Sequence, residues 1–299
     1  VPIHPRTALS AVLDAVSGNE LDLNEKIIIN IRIPRVLMCA IVGSALSTAG
    51  VVMQAIFRNP MAEPYVLGIS SGAGLGAIIG FIFSFNMYAV SASAFLTSLL
   101  VVFLVYSLAR IRGVVTTESL LLAGIAVNFF LYALEWLMLI KTRAYLITTW
   151  LIGCFGGVDW LSIKISFLPV LLGVLLSLSF SKELNAILLG EESAHYIGVE
   201  VKRVRNFLLI ISTLITAVSV SFVGLIGFVG LMIPHISRIL VGDDHRILIP
   251  VSMMIGSIFL IWMDTLSRTV LGNIPVGIIT MLCGGPFFLY LLRRRSVLL

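Results

Sequence analysis

Residues 68–77 carry two spacings associated with chemistry. Gly68-Ile69-Ser70-Ser71-Gly72 has the G-x-S-x-G spacing of a hydrolase nucleophile elbow, in which a strained turn exposes a serine oxygen. Overlapping it, Gly72-Ala73-Gly74-Leu75-Gly76-Ala77 has the G-x-G-x-x-A spacing that brings backbone close to a dinucleotide pyrophosphate. Further along, Glu192 and His195 form an E-x-x-H pair, and His235 follows Ile233-Pro234. Such a pair serves a di-iron centre only when further carboxylates face it from other helices. G-x-x-x-x-G-K-[ST] occurs nowhere, so the chain holds no P-loop, and an ATP-driven function must borrow its nucleotide site.

Which elements could position these groups is set by composition. Of the 299 residues, 59% are hydrophobic and 12% are charged, against about 25% charged in soluble domains. A bilayer solvates such a chain and requires every backbone polar group to pair within helices or a closed barrel. The apolar runs are long and lack the period-2 alternation of a barrel, so the expected fold is all-α and polytopic. A nucleophile elbow needs a strand and a soluble sheet around it, and the dinucleotide motif needs a βαβ unit. The enzymatic reading that survives is an intramembrane serine protease, with Ser70 or Ser71 as nucleophile and His235 as base. Against it, the same small residues let helices approach backbone to backbone. Pro60 and Pro64 mark a reversal just before them, so the stretch reads as an inner turn and a close-packed helix start. Cys39, Cys154 and Cys283 are widely spaced and read as packing residues, with neither a disulfide framework nor a zinc site. The net charge of +5 comes from residues that punctuate gaps between apolar runs, which fits membrane orientation and gives no nucleic-acid face.

Crossing the hydrocarbon takes about 20 helical residues. Nine segments qualify: 34–56, 66–85, 88–109, 117–140, 160–181, 206–223, 226–241, 247–267 and 275–292. Gly224 to Gly230 could instead mark a break within one bent segment. With residues 57–65 inside, twelve of the 20 basic residues fall in inner loops: Arg58, Arg110, Arg112, Lys182, Lys202, Arg203, Arg205, Arg238, Arg246 and Arg293, Arg294, Arg295. Lys141, Arg143, Lys164 and Arg268 fall outside. The positive-inside rule therefore puts the C-terminus in the cytoplasm. Residues 1–33 form a polar outer segment ahead of a single transmembrane domain, 34–299, and a tenth span upstream is expected. Residues 142–158 are short and glycine-rich and read as an outer helix or re-entrant piece.

The inner loop 182–205 carries eight formal charges and a histidine, yet Leu184, Ile187, Leu188, Leu189, Ala194 and Ile197 recur at helical spacing. Two short amphipathic helices broken at Gly190 fit the pattern, with Glu191 and Glu192 at the positive end of the second. A folded, charged elbow on the cytoplasmic face is a surface for a soluble partner. Glu192 and His195 decorate its solvated face. Glu135 and Asp264 lie toward the outer ends of their spans, where acids are functional suspects, although Asp264 can also pair with Arg268 at i,i+4. Asn128, near mid-membrane, either packs between helices or lines a wet path. His235 reads as a packing or capping residue.

Arg32-Ile33-Pro34-Arg35, the turn Arg58 to Pro64 with its continuation through Gly74, the run Thr149 to Trp160, Gly227 to Arg246, Ile274 to Thr280 and Gly285-Pro286 occur in this order. Together they resemble the permease family of type II ATP-binding-cassette importers for iron siderophores, haem and cobalamin. The resemblance runs from about residue 30 to the end. It implies a homodimer of ten-span subunits in the cytoplasmic (inner) membrane, two cytoplasmic ATP-binding subunits and an external solute-binding protein. No cofactor is expected in this chain, with ATP and Mg held by the partner ATPase, and the chain itself is not an enzyme.

Carried residue by residue, the resemblance assigns Leu189, Gly190, Glu191, Glu192, Ser193, Ala194, His195, Ile197, Gly198 and Val199 to ATPase coupling. It matches Arg32, Arg35 and Arg268 to positions that meet acidic residues of the binding protein. Thr116 and Thr117 match the cytoplasmic gate, where Glu118 departs from the small residue often found. On resemblance alone, Phe155 to Trp160 points toward cobalamin among the chelates, and other relatives carry oxyanions such as molybdate. ATP binding would close the ATPase dimer and tilt the helices, shifting the path between two states. An ion-coupled secondary transporter is the competing reading and predicts acids at the midplane.

Overall fold

The computed structural model describes residues 5–111, 114–142 and 145–296, so Arg112 and Arg143 lie outside the described residues. Helices α1 (Pro5–Ser17) and α2 (Leu23–Ile27) come first. A π-helical turn, Ile28–Arg32, then joins α2 to α3 (Ile33–Ile56) without interruption. Pro34 does not stop the run, and the π-helical turn, a local widening of the helix, lies directly before it. The polar N-terminal segment is therefore helical, and the expected boundary at residue 33 falls inside a continuous helical stretch from Leu23 to Ile56.

After a single 3-10 turn at Pro64–Leu67 follow α4 (Ile69–Ile82), α5 (Met87–Ala109) and α6 (Thr117–Thr142). Then come α7 (Tyr145–Leu151), α8 (Trp160–Ser179), α9 (Ser181–Leu188) and α10 (Glu191–Tyr196). The last four are α11 (Val201–Val223), α12 (Val229–Val241), α13 (His245–Thr269) and α14 (Val276–Ser296). The strand among the described residues is a two-residue hairpin between α5 and α6, Arg110–Ile111 against Val114–Val115. Among the described residues six helical runs are long and apolar enough to cross a membrane, and shorter apolar stretches lie in α1, α4, α12 and α14. All nine expected segments are thus apolar helices, and α4 and α12, at 14 and 13 residues, are shorter than a full crossing.

Helix α3 occupies the centre, buried through most of its length, and α11 is nearly as enclosed; α5, α6, α8 and α13 turn most of their surface outward. Lipid removes the hydrophobic drive between helices, so contact must come from close van der Waals fit. Glycines provide it. A Cβ built on Gly43 would overlap the Gly256 backbone of α13, and one on Gly50 would overlap the Gly230 carbonyl of α12. The Ser257 hydroxyl donates to the Ala40 carbonyl at 2.9 Å, which pins α13 to α3 further.

The glycine-rich stretch between α11 and α12 is a true break, and it lies deep. Gly230 faces Gly50, six residues before α3 ends, so α12 begins about 9 Å inside that end at 1.5 Å per residue. Unwound backbone at that depth must find partners within the protein. Glu63 accepts the Phe228 N–H at 3.2 Å, the Tyr65 hydroxyl donates to the Ile226 carbonyl at 3.1 Å, and the Cys154 N–H donates to the Val223 carbonyl at 2.8 Å.

Gly50→Val is expected to lower the unfolding midpoint of the detergent-solubilised protein, since overpacking costs about 1–3 kcal/mol. Gly156→Ala, whose added methyl meets nothing within 4 Å, should leave the midpoint unchanged. Gel filtration of heated, fluorescently tagged protein reads both.

Candidate functional site

Three arrangements bear on function: an elbow at the start of α13, an ion cluster at the opposite end of that helix, and the pinned break between them. In the elbow, α9 buries Leu184 and Ile187 in one cluster with Val204 and Leu208 of α11 and Leu248 and Ile249 of α13. Gly190 then adopts φ 122°, a backbone that side-chain-bearing residues rarely take. Helix α10 turns away and anchors itself through Ala194, which is fully buried. The Glu191 carboxylate accepts from Arg205 at 3.1 Å, bracing α10 against α11.

Glu192, Ser193, His195 and Gly198 are exposed, and Val199 is half-buried. Leu189, Tyr196 and Ile197 are 76%, 88% and 67% exposed. Large apolar side chains exposed on a charged projection are the kind of feature that accompanies an interaction site. The two-helix pattern read from residues 182–205 is therefore present, with its break at Gly190.

At the other end of α13, Arg35 Nη2 donates to Asp264 Oδ1 at 2.7 Å and its Nε to the same oxygen at 2.9 Å. The Arg268 guanidinium lies 2.9 Å from Oδ2. Asp264 is 1% exposed, so one carboxylate binds two guanidiniums and the group keeps a net positive charge. Arg35 also reaches Asn273 Oδ1 at 3.3 Å, tying in the turn after α13. The i,i+4 pair of Asp264 with Arg268 is thus formed, and Arg35 joins it from α3. Arg32 is half-buried on the π-helical turn beside Ala8.

The other residues singled out by spacing have local roles. Ser70 shares a hydrogen bond with the Tyr132 hydroxyl at 3.3 Å, and Ser71 donates to Asn128 Oδ1 and to the Gly68 carbonyl. None of these partners is a base able to activate a serine. Asn128 also donates to the Tyr65 carbonyl at 3.3 Å, so both ends of its amide join α6 to the start of α4. Thr116 caps α6: its hydroxyl accepts the Ser119 N–H at 3.1 Å while Ser119 Oγ accepts the Thr116 N–H at 3.1 Å. Thr117 opens the helix and is half-buried. His235 packs edge-on to Phe287 at 6.0 Å between ring centres.

Asp159 caps α8, accepting the Ser162 N–H at 2.9 Å and the Tyr88 hydroxyl. Although partial burial works to raise its pKa, these hydrogen bonds hold the carboxyl below the ordinary range. Trp160 Nε1 donates to the Ile29 carbonyl at 3.0 Å, so the Phe155–Trp160 run stitches α8 to the N-terminal helices. Among the described residues no cluster of three or more His, Cys, Asp or Glu could hold a metal ion.

Glu63, Tyr65 and Asn185 were missed as structural pins. Glu63 gave a signal, an acid between two prolines in an oily chain, but nothing local tells that its partner is an amide 165 residues away.

The FecCD transport family matches residues 3–294. The chain is 42% identical over 270 residues to the cobalamin import system permease protein BtuC of Halobacterium salinarum, covering 89% of this chain and 73% of that protein. It is 39% identical to the hemin transport system permease protein HmuU of Yersinia pestis, covering 89% and 83%. A solved structure described as an inward-facing conformation of a metal-chelate type ABC transporter superposes with a TM-score of 0.85 at 30% identity, over 97% of this chain and 100% of that one.

Replacing Asp264 by Asn should strip two guanidiniums of their shared counter-charge. Removing one partner of a buried ion pair costs about 3–5 kcal/mol, so a large drop in thermal stability is expected. The double variant Asp264→Asn, Arg35→Met should recover part of it, and melting curves in detergent measure both.

Proposed function

The chain belongs to the FecCD transport family, and from that membership we propose that it is the membrane-spanning permease of an ATP-driven importer carrying a metal chelate such as cobalamin, an iron siderophore or haem across the cytoplasmic membrane. The observation that carries the reading is the elbow: Leu189, Tyr196 and Ile197 stand exposed on a charged two-helix projection that packs against α11 and α13. A folded projection of that kind offers a soluble subunit a grip. The relatives named as cobalamin and hemin permeases support the choice of cargo.

In this reading two copies of the chain pair around a central path, and two ATP-binding subunits engage residues 189–199 from below. The nucleotide and its Mg belong to those subunits. On the outer face, Arg32 and the net positive Arg35–Asp264–Arg268 group attract acidic residues of a solute-binding protein, oriented contacts that set register more than affinity. Thr116 and Thr117 lie at the inner start of α6, where the path would narrow, with Asn128 in the wall further along the helix. The C-terminus lies in the cytoplasm. The chain performs no covalent chemistry; it has two conformations, and nucleotide state biases their populations. The secondary-transport reading loses Asp264 as an ion site, because two arginines already occupy it.

Proteoliposomes holding the permease with its ATPase should take up cyanocobalamin or hemin only with internal ATP and external binding protein. Changing Leu189 and Tyr196 together to Asp should weaken ATPase capture at least about tenfold, as expected for contact residues that dominate an interface. Uptake driven by an ion gradient with no ATPase present would overturn the proposal.

A further inference from the structure

Asn185 on α9 faces the start of α13 with both ends of its amide. Its Nδ2 donates to Asp244 Oδ1 at 2.7 Å. Its Oδ1 accepts the His245 backbone N–H at 2.9 Å and lies 2.7 Å from His245 Nδ1. The orientation of the amide follows from these partners, because turning it over would set its NH2 against a backbone N–H and its oxygen against a carboxylate. With Oδ1 already an acceptor, the ring nitrogen beside it must donate. His245 therefore carries a proton on Nδ1, and its fully buried Nε2 has no hydrogen-bond partner among the described residues.

The Asn185 amide first, and then the Arg246 N–H that Asp244 caps, hold the Asp244 carboxyl below the ordinary range, so it stays charged at neutral pH. Leu184 and Ile187 also touch Leu248 and Ile249 across this junction, but apolar contact is non-directional and tolerates sliding. The three bonds of Asn185 do not; they fix one register between α9 and α13. Asp264 lies 19 residues beyond His245 on the same helix, about 28 Å at 1.5 Å per residue. Between the two, α13 is held backbone to backbone against α3 at Gly43 and Gly256.

We propose that Asn185 and His245 are positioning residues of the transport cycle, a latch that holds the elbow in register with α13 so that movement imposed on the elbow is carried along α13 to the Arg35–Asp264–Arg268 cluster. This rests on the elbow being the ATPase-coupling element. By linkage the latch works in both directions: occupancy of the outer face alters the elbow as much as the elbow alters the outer face.

The test uses the assembled transporter in proteoliposomes, with ATP hydrolysis and uptake of cyanocobalamin or hemin measured together. Asn185→Leu is close in size and half-exposed, so the complex should form with its basal hydrolysis intact. Molecules carried per ATP should fall at least about fivefold, the lower range of coupling between distant sites. His245→Asn places an amide N–H where Nδ1 stood and should keep most of the coupling; His245→Gln places it where Nε2 stood and should lose it. Asn185→Leu with His245→Gln should be no worse than the stronger single variant.

Equal loss in the Asn and Gln variants at 245, additive losses in the double variant, or unchanged uptake per ATP in Asn185→Leu would each overturn the latch. Those outcomes require a working wild-type importer, so they differ from failure of the functional reading, in which the wild-type complex itself shows no ATP-driven uptake.

Discussion

Within the hydrocarbon, no water completes an unpaired amide or carbonyl, and this constraint organises the structure around the deep break in helix between α11 and α12. The break from Gly224 to Phe228 exposes backbone groups that α11 and α12 cannot satisfy themselves. The turn from Asn59 to Tyr65 does so, with Glu63 on an N–H and Tyr65 on a carbonyl. Phe228 can hold its left-handed backbone, φ 68°, because its N–H is anchored in this way. An acidic turn and a glycine-rich break that look unrelated in the chain are two halves of one joint. That joint allows α12 to start inside the membrane and leaves the surrounding long helices free to pack around α3.

Much of this was legible in the sequence, and the reasons differ by element. The nine apolar segments follow from composition and run length, which are local properties. The elbow was legible because amphipathic spacing and a central glycine are also local, and its break falls at Gly190. The N-terminal helices were not, because α1 and α2 are too short and polar to read as spans and a π-helical turn shifts the phase before Pro34. The depth of the Gly224–Phe228 break could not be read from spacing, since depth depends on which residue of α3 lies opposite. The pairing of Asp264 with Arg268 was readable at i,i+4, whereas Arg35 reaches it from 229 residues away. The G-x-S-x-G spacing carries packing, as the small residues of that stretch suggest: Ser70, Ser71 and Asn128 form a polar seam between α4 and α6.

The two ends of α13 divide the work of the molecule. One end carries hydrogen bonds to the elbow, which are directional and fix register. The other carries a carboxylate shared between two guanidiniums, which is charged, nearly enclosed and tied to α3 and to the turn at Asn273. A 25-residue helix fastened by polar groups at both ends and by glycine contact in the middle is a single mechanical piece. Its outer side, where Met254, Ile258 and Trp262 are exposed, is apolar and offers no directional bond to oppose a tilt of that piece as a unit.

The glycine contacts of α3 have one more consequence. At Gly43 and Gly50 its backbone already lies against the backbones of α13 and α12, with no side chain between them to compress or interdigitate. Neighbours held that close cannot be drawn nearer, and drawing them apart would open a void along the seam. What such contacts leave open is rotation or sliding along the seam, with α3 as the fixed rail.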